Sequence, residues 1–229
     1  MKTAGIICEY NPFHNGHLYH INQTKKQADA VVCVMSGSFV QRGFPAVCDK
    51  FSRADAAVRQ GADIVIELPT VFALSSAEKF AYGGISVLDS LGFVDMVSFG
   101  AESENFRIFD EENDDFKKQM RAELDLGLSY ATAKANAAAK IFGIELSNKP
   151  NDILAYEYIK TINKLGSDMQ PLIIKRQFNG YHSQTPCGEY ASASYIREHP
   201  GEAKKYMPEP LPKSEITDFE KYKLAALAH

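Results

Sequence analysis

Four short runs rich in valine and isoleucine recur along the first hundred residues, and helix-length stretches separate them. The runs are residues 4–8, 30–35, 63–68 (closed by Pro69) and 95–99 (closed by Gly100). Apolar runs of this length, bounded by Gly or Pro, suit strands buried on both faces. The stretches between them, residues 17–27, 50–60 and 75–88, read as helices. In the second, Phe51, Ala54, Ala57 and Val58 fall on one stripe and Gly61 supplies the stop. Strand and helix alternating at this spacing imply parallel pairing through right-handed crossovers. The expected fold is therefore a doubly wound α/β parallel sheet followed by additional helices, with ligands beyond the carboxyl ends of the strands.

After the fourth strand the composition changes. Between residues 102 and 115 seven carboxylates face one base, Arg107, and we read this as the solvated start of an acidic helical insertion over about 102–145. Helices are expected at 116–126 and 130–141. Another is expected at 151–164, where Ile153, Leu154, Tyr158 and Ile162 make the apolar face, and residues 171–174 form a fifth strand. Residues 1–200 thus read as one catalytic domain. Prolines 208, 210 and 212 mark a linker within 201–229, and a helix restarts at 214–229.

The 229 residues carry a net charge of −4, so any nucleic acid must be met by a local patch. Residues 1–60 hold seven basic and four acidic side chains, and Arg42, Lys50, Arg53 and Arg59 are the candidates to meet a phosphodiester backbone. Lys175, Tyr181 and His182 are further candidates to face nucleotide or RNA. The four cysteines, Cys8, Cys33, Cys48 and Cys187, lack ligand-like spacing and read as buried small hydrophobes in a reducing compartment. No apolar run approaches the roughly 20 residues that span a bilayer, and Glu9 comes too early for a signal peptide. A cytoplasmic protein is expected.

The loop after the first strand, Asn11-Pro12-Phe13-His14-Asn15-Gly16-His17, opens a helix. A helix start offers unpaired N–H groups and a positive dipole end, which suit phosphate. His14 and His17 bracket a glycine that permits close approach, and their ring N–H groups are donors to phosphate oxygens. Metal ligation is a competing reading for His14, His17 and His20. On a helix, however, at about 100° per residue, the three fan over roughly 120° and do not converge. Capping or packing is the other alternative, and we assign it to His20. Late in the chain Ser192-Ala193-Ser194-Tyr195-Ile196-Arg197 puts two hydroxyls and a guanidinium near a helix start. These are phosphate donors too, alternatively a cap with a surface arginine. Together the two motifs suggest a clamp on a triphosphate, with His14, His17 and Arg197 as catalytic residues and Ser194 as a nucleotide contact.

The combination resembles the H-x-G-H nucleotidyltransferase superfamily and, within it, the bacterial tRNA(Met) cytidine acetate ligase family. The segments that carry the resemblance are residues 9–17, Met35-Ser36-Gly37 with Gln41-Arg42-Gly43, residues 63–69 and Phe99-Gly100-Ala101-Glu102. Asn151-Asp152-Ile153-Leu154, Lys175-Arg176, Gly180-Tyr181-His182 and residues 192–197 complete the set. Phe44 and Ala155 depart from it, where an acidic residue and a glycine are expected.

The resemblance implies a Rossmann-like sheet and a ligase that makes acetyl-adenylate from ATP and acetate with release of pyrophosphate. The acetyl group then passes to the N4 amine of the wobble cytidine of elongator tRNA(Met). It also implies ATP contacts at Ile7, Cys8, Glu9, Tyr10, Asn11, Pro12, Phe13, His14, Asn15, Gly16, His17, Leu18, Tyr19 and His20, and at Gly100, Asn151 and Arg176. Magnesium is expected on the β- and γ-phosphates, with no dedicated carboxylate pair. Family members run on into a helical region expected to help bind tRNA, so residues 201–229 read as the start of a region cut short. The alternatives are a nucleotidyltransferase that adenylylates a phosphorylated cofactor precursor, and a nucleotide-binding protein without catalysis.

Overall fold

The computed structural model describes residues 1–41, 43–176 and 185–209. Arg42, the Gly180-Tyr181-His182 segment and the helix expected at 214–229 lie outside the described residues. Five strands, β1 (Thr3–Cys8), β2 (Ala30–Ser36), β3 (Ile64–Leu68), β4 (Met96–Ala101) and β5 (Gln170–Lys175), form one sheet in the order β3-β2-β1-β4-β5. Every adjacent pair is parallel. The chain therefore winds outward from β1 in both directions, and the crevice between the carboxyl ends of β1 and β4 is the topological switch point. The sheet is doubly wound, as the alternation of runs implied.

The helices α1 (Asn15–Thr24), α2 (Lys50–Arg59), α3 (Thr70–Ala73), α4 (Ala77–Ser90), α5 (Asp114–Asp125), α6 (Tyr130–Phe142), α7 (Pro150–Leu165) and α8 (Ala193–Glu198) follow, with a 3₁₀ turn at Pro200–Lys205. Side chains of β1 alternate between two cores, as strand geometry requires. Ile6 packs with Val31, Cys33, Ile21 of α1 and Ala57 of α2. Ile7 packs on the other face with Phe80, Ile85 and Leu88 of α4 and Tyr158 of α7. Helix α4 comes so near the sheet that a Cβ on Gly84 would stand 2.6 Å from Ile7 Cδ1.

Several expectations are corrected. Helix α1 runs over Asn15–Thr24 rather than 17–27, because His14 is its N-cap and Lys25 its C-cap. The apolar stripe read into α2 holds only in part: Ala57 is buried and Ala54 packs on the core, but Phe51 is 74% and Val58 49% exposed, and the helix buries Arg53 in their place. The one-turn helix α3 was not foreseen. Of the cysteines, Cys33 and Cys48 are buried, Cys8 is half-buried and Cys187 is exposed. Residues 201–209, assigned to a linker, are docked. Tyr206 and Met207 pack on Ile196, and the Tyr206 carbonyl accepts from Asn15 N at 2.8 Å.

The acidic stretch is only partly solvated. Helices α5 and α6 share a small core of Phe116, Ala137 and Ala138. Glu111 reaches Lys134 at 2.7 Å and Lys160 at 3.3 Å, and Glu157 meets both lysines. Burial alone would raise the pKa of Glu111, but the two ammonium groups outweigh it and hold it low. This buried network ties α6 and the acidic loop to α7.

Candidate active site

The loop after β1 is held from behind. Tyr10 takes a left-handed backbone (φ +47°), and its buried hydroxyl lies 3.4 Å from Cys33 Sγ. The Asn11–Pro12 peptide is cis, and Asn11 Oδ1 accepts from Val47 N at 2.7 Å. Arg53, 1% exposed, donates to the carbonyls of Glu9 (2.6 Å), Ser36 (3.1 Å), Cys48 (3.3 Å) and Gly37. One guanidinium thus joins the β1 loop, the end of β2 and the lead-in to α2.

At the head of α1 the two motif histidines act on each other. His14 Nδ1 accepts from Gly16 N at 3.0 Å, and His17 Nδ1 accepts from His14 N at 3.3 Å. Both orphan amides are satisfied in the manner of a capping box, with imidazole in place of hydroxyl and carboxylate. An Nδ1 that accepts carries no proton, so each neutral ring carries its proton on Nε2. Gly16 is required by this cap, since a Cβ there would fall 2.9 Å from His14 Cε1.

Burial, followed by the guanidinium groups of Arg176 and Arg197, pulls the His14 pKa down to about 3. Burial, then His14, Arg176 and His20, holds His17 well below the ordinary value. Both rings are therefore neutral Nε2–H donors at physiological pH.

His20, one turn on, also has a fixed tautomer. Thr24 Oγ1 donates to the His20 carbonyl at 2.9 Å, so Ser98 Oγ must donate to Thr24 at 2.7 Å and His20 Nε2 to Ser98 at 2.9 Å. Burial and Arg176 bring the His20 pKa down to about 4.

These groups line a cleft of about 490 Å³ at the switch point. Of the residues assigned to the site from sequence, Ile7, Cys8, Glu9, Tyr10, Asn11, His14, Gly16, His17, Tyr19 and His20 line it, as do Gly100, Asn151, Arg176, Ser194 and Arg197. Pro12, Phe13, Asn15 and Leu18 do not. Phe13 and Leu18 belong to the core behind the loop and Pro12 is buried. The Asn15 side chain turns away to donate to the Glu189 carbonyl at 2.8 Å.

The late motif is stitched to the first loop: Arg197 Nη1 donates to the Asn11 carbonyl at 2.6 Å, and Ser192 caps α8. Across the cleft, Asp152 accepts from Glu102 N, Ser103 N and the hydroxyls of Ser103 and Ser147. Burial would raise its pKa, and these bonds hold it low. The loop so fixed carries Glu102, whose Oε1 accepts from Asn151 Nδ2 at 2.9 Å and lies 4.0 Å from Arg176 Nε.

The basic residues named as candidates to meet RNA fare differently. Arg53 is buried in the core, Lys50 pairs with Glu67 at 2.6 Å and Arg59 with Asp55 at 2.8 Å. Lys175 pairs with Glu104 at 2.8 Å, while Arg42, Tyr181 and His182 lie outside the described residues. Sequence reasoning missed Phe80 and Tyr158, both of which line the cleft; Tyr158 reads from sequence only as part of the apolar face of its helix. Of the two departures, Phe44 is exposed at the cleft and Ala155 is fully buried.

A parallel sheet wound 3-2-1-4-5, with an H-x-G-H turn opening the helix at its switch point, defines a class. The chain belongs to the HIGH Nucleotidyl Transferase family, which matches residues 1–227. It is 43% identical over 213 residues to the tRNA(Met) cytidine acetate ligase of Clostridium novyi, covering 87% of this chain and 53% of that protein. Against the protein of the same name from Acetivibrio thermocellus it is also 43% identical, covering 87% and 51%. The chain thus spans about half the length of the curated relatives it matches.

Among solved structures, apo Thermotoga maritima TmcAL superposes with a TM-score of 0.85 at 38% identity, covering 100% of this chain and 57% of that one. The same protein bound with alpha-thio ATP gives 0.80 at 39% identity, covering 92% and 54%.

Proposed function

We propose that the chain activates acetate with ATP, forming acetyl-adenylate and pyrophosphate. The acetyl group then passes to the N4 amine of the wobble cytidine of elongator tRNA(Met), in the cytoplasm. The observation that carries the first step is the pair of neutral Nε2–H imidazoles at the capped head of α1, in a cleft that also takes in Arg176 and Arg197. Likeness to ligases of that name, and to a relative solved with alpha-thio ATP, supports the substrates.

Acetate is an anion at neutral pH, so its attack on the α-phosphorus needs no general base. It needs the charge on the phosphates neutralised and the pyrophosphate held as it leaves. His14 and His17 Nε2–H, with the positive dipole end of α1 behind them, are donors for the α-phosphate oxygens, and Arg176 and Arg197 supply positive charge. This is electrostatic stabilisation by groups already in place, since the cap holds both rings before any ligand arrives.

Magnesium fits this donor set poorly as a resident ion. Among the described residues the cleft presents one carboxylate, Glu9, whose Oε1 already accepts from Gln41 N at 2.7 Å. A wobble base lies in a single-stranded loop and can be splayed into a pocket at small unstacking cost.

The test is to incubate the chain with labelled acetate and ATP, with and without bulk tRNA. Acetyl-adenylate and pyrophosphate are expected without RNA, and label in cytidine when tRNA is added. Pyrophosphate release that ignores acetate but requires a phosphomonoester acceptor would assign the cleft to a cofactor precursor instead.

A further inference from the structure

Asn151, Leu154 and Tyr158 are spaced by three and four residues, so they share one face of α7, and all three line the cleft. Past Asn151 the wall turns apolar, with Leu154, Ile7 of β1, Phe80 of α4 and Phe99 of β4. The Phe99 and Tyr158 ring centroids are 5.5 Å apart. In these surroundings Tyr158 is 4% exposed, and its hydroxyl, which makes no hydrogen bond to the described residues, is not sealed in the core but opens onto the cleft. A donor that faces a cleft from an otherwise apolar wall is available to fix a ligand. Burial, with Cys8 and Glu9 nearby, raises its pKa, so the hydroxyl keeps its proton.

We propose that this corner is the acyl subsite, where the methyl group of acetate packs among Ile7, Phe80, Phe99 and Leu154 while Tyr158 Oη–H donates to one carboxylate oxygen. The chemistry of the corner favours a short monocarboxylate over the adenine ring. An adenine edge presents several donors and acceptors, and among Ile7, Phe80, Phe99, Leu154 and Tyr158 the Tyr158 hydroxyl is the one polar side-chain group. The other carboxylate oxygen attacks. Its bond to the α-phosphorus forms, the bond from that phosphorus to the β-bridging oxygen breaks, and pyrophosphate departs with the electron pair. No proton moves. The proposal deepens the acetate activation proposed above and rests on it.

Acetate-dependent ATP–pyrophosphate exchange, run with acetate, propionate and butyrate, tests it on the wild-type chain and two variants. Tyr158→Phe is expected to raise KM for acetate about 10-fold, the scale of one hydrogen bond to a charged group, with KM for ATP and the melting temperature unchanged. Leu154→Ala, at a half-buried position, is expected to shift kcat/KM toward propionate over acetate by about 10-fold, the scale of one methylene in an apolar pocket. An unchanged acetate KM, or a KM for ATP that rises equally, would overturn the assignment of Tyr158. Should Tyr158→Phe not fold, an acid preference unmoved in Leu154→Ala overturns the subsite by itself. Exchange that does not depend on acetate in the wild-type chain would instead overturn the reaction.

Discussion

The imidazole rings of His14 and His17 stack with centroids 3.7 Å apart at 21°, and each gives its Nδ1 to a backbone amide of the same helix start. Stacking, capping and low pKa are one arrangement. Two imidazolium rings at this distance would repel, and an Nδ1 committed to an amide has no lone pair left for a proton. The helix cap therefore sets the chemistry of the site.

Gly16→Ala should break this arrangement without unfolding the chain. Its Cβ would fall 2.9 Å from His14 Cε1, so the ring must swing off its cap. Misplacement of a positioned group by about 1 Å costs on the order of 10²-fold in rate. Acetate-dependent pyrophosphate exchange is expected to drop by that order with an unchanged circular dichroism spectrum; full activity would show that the cap does not matter.

Replacing His17 separates its two nitrogens. His17→Ala should lower exchange by about 10²–10³-fold, the usual loss for one donor to a developing charge. His17→Gln, whose amide nitrogen lies near the position of Nε2, should retain more activity than His17→Asn, whose reach matches Nδ1. The reverse order would mean that Nδ1 serves the substrate and the tautomer assignment is mistaken.

How far the residues announced this structure depends on the kind of interaction. The strands were readable because runs such as Val31-Val32-Cys33-Val34 can be buried on both faces and little else. Capping is weighed from the sequence but assigned to His20, whereas His14 is the N-cap, because hydroxyl and carboxylate residues dominate such positions and a capping imidazole gives little signal. Helix α2 was misread because a single arginine, with four carbonyls converging on it, is more completely satisfied inside than Phe51 would be. Tyr158 looked like one more member of an apolar stripe. The place of its hydroxyl on the cleft wall becomes visible only once β1, α4 and β4 supply the walls around it.

Stability should fall as the solution is acidified. Unfolded histidines titrate near 6.5, whereas folded His14 titrates at about 3 and His20 at about 4, with His17 also well lowered. Below about pH 6.5 the unfolded chain binds protons that the folded chain refuses, so unfolding becomes easier down to the folded values. Above about pH 7 these three rings add no slope. Urea midpoints should decline between pH 6.5 and 4.5, and His20→Gln should make that decline shallower. An identical slope in the variant would contradict the buried, neutral assignment of His20.

Arg53→Lys tests the anchor behind the loop. An ammonium cannot reach the four carbonyls that the guanidinium serves, and those left unpaired in a buried setting cost about 1–3 kcal/mol each. A loss of roughly 3 kcal/mol in urea unfolding is expected, with tRNA affinity changed only as far as folding is. A stable variant with weakened RNA binding would return Arg53 to the surface role its sequence position suggested.

The most direct measurement of the central claim is a ¹⁵N spectrum of histidine-labelled protein, with and without a non-hydrolysable ATP analogue. His14 and His17 are predicted to appear as neutral Nε2–H tautomers at pH 7, and their Nε2 resonances, rather than Nδ1, should move when the nucleotide binds. Rings protonated on Nδ1, or Nε2 signals indifferent to saturating nucleotide, would contradict it.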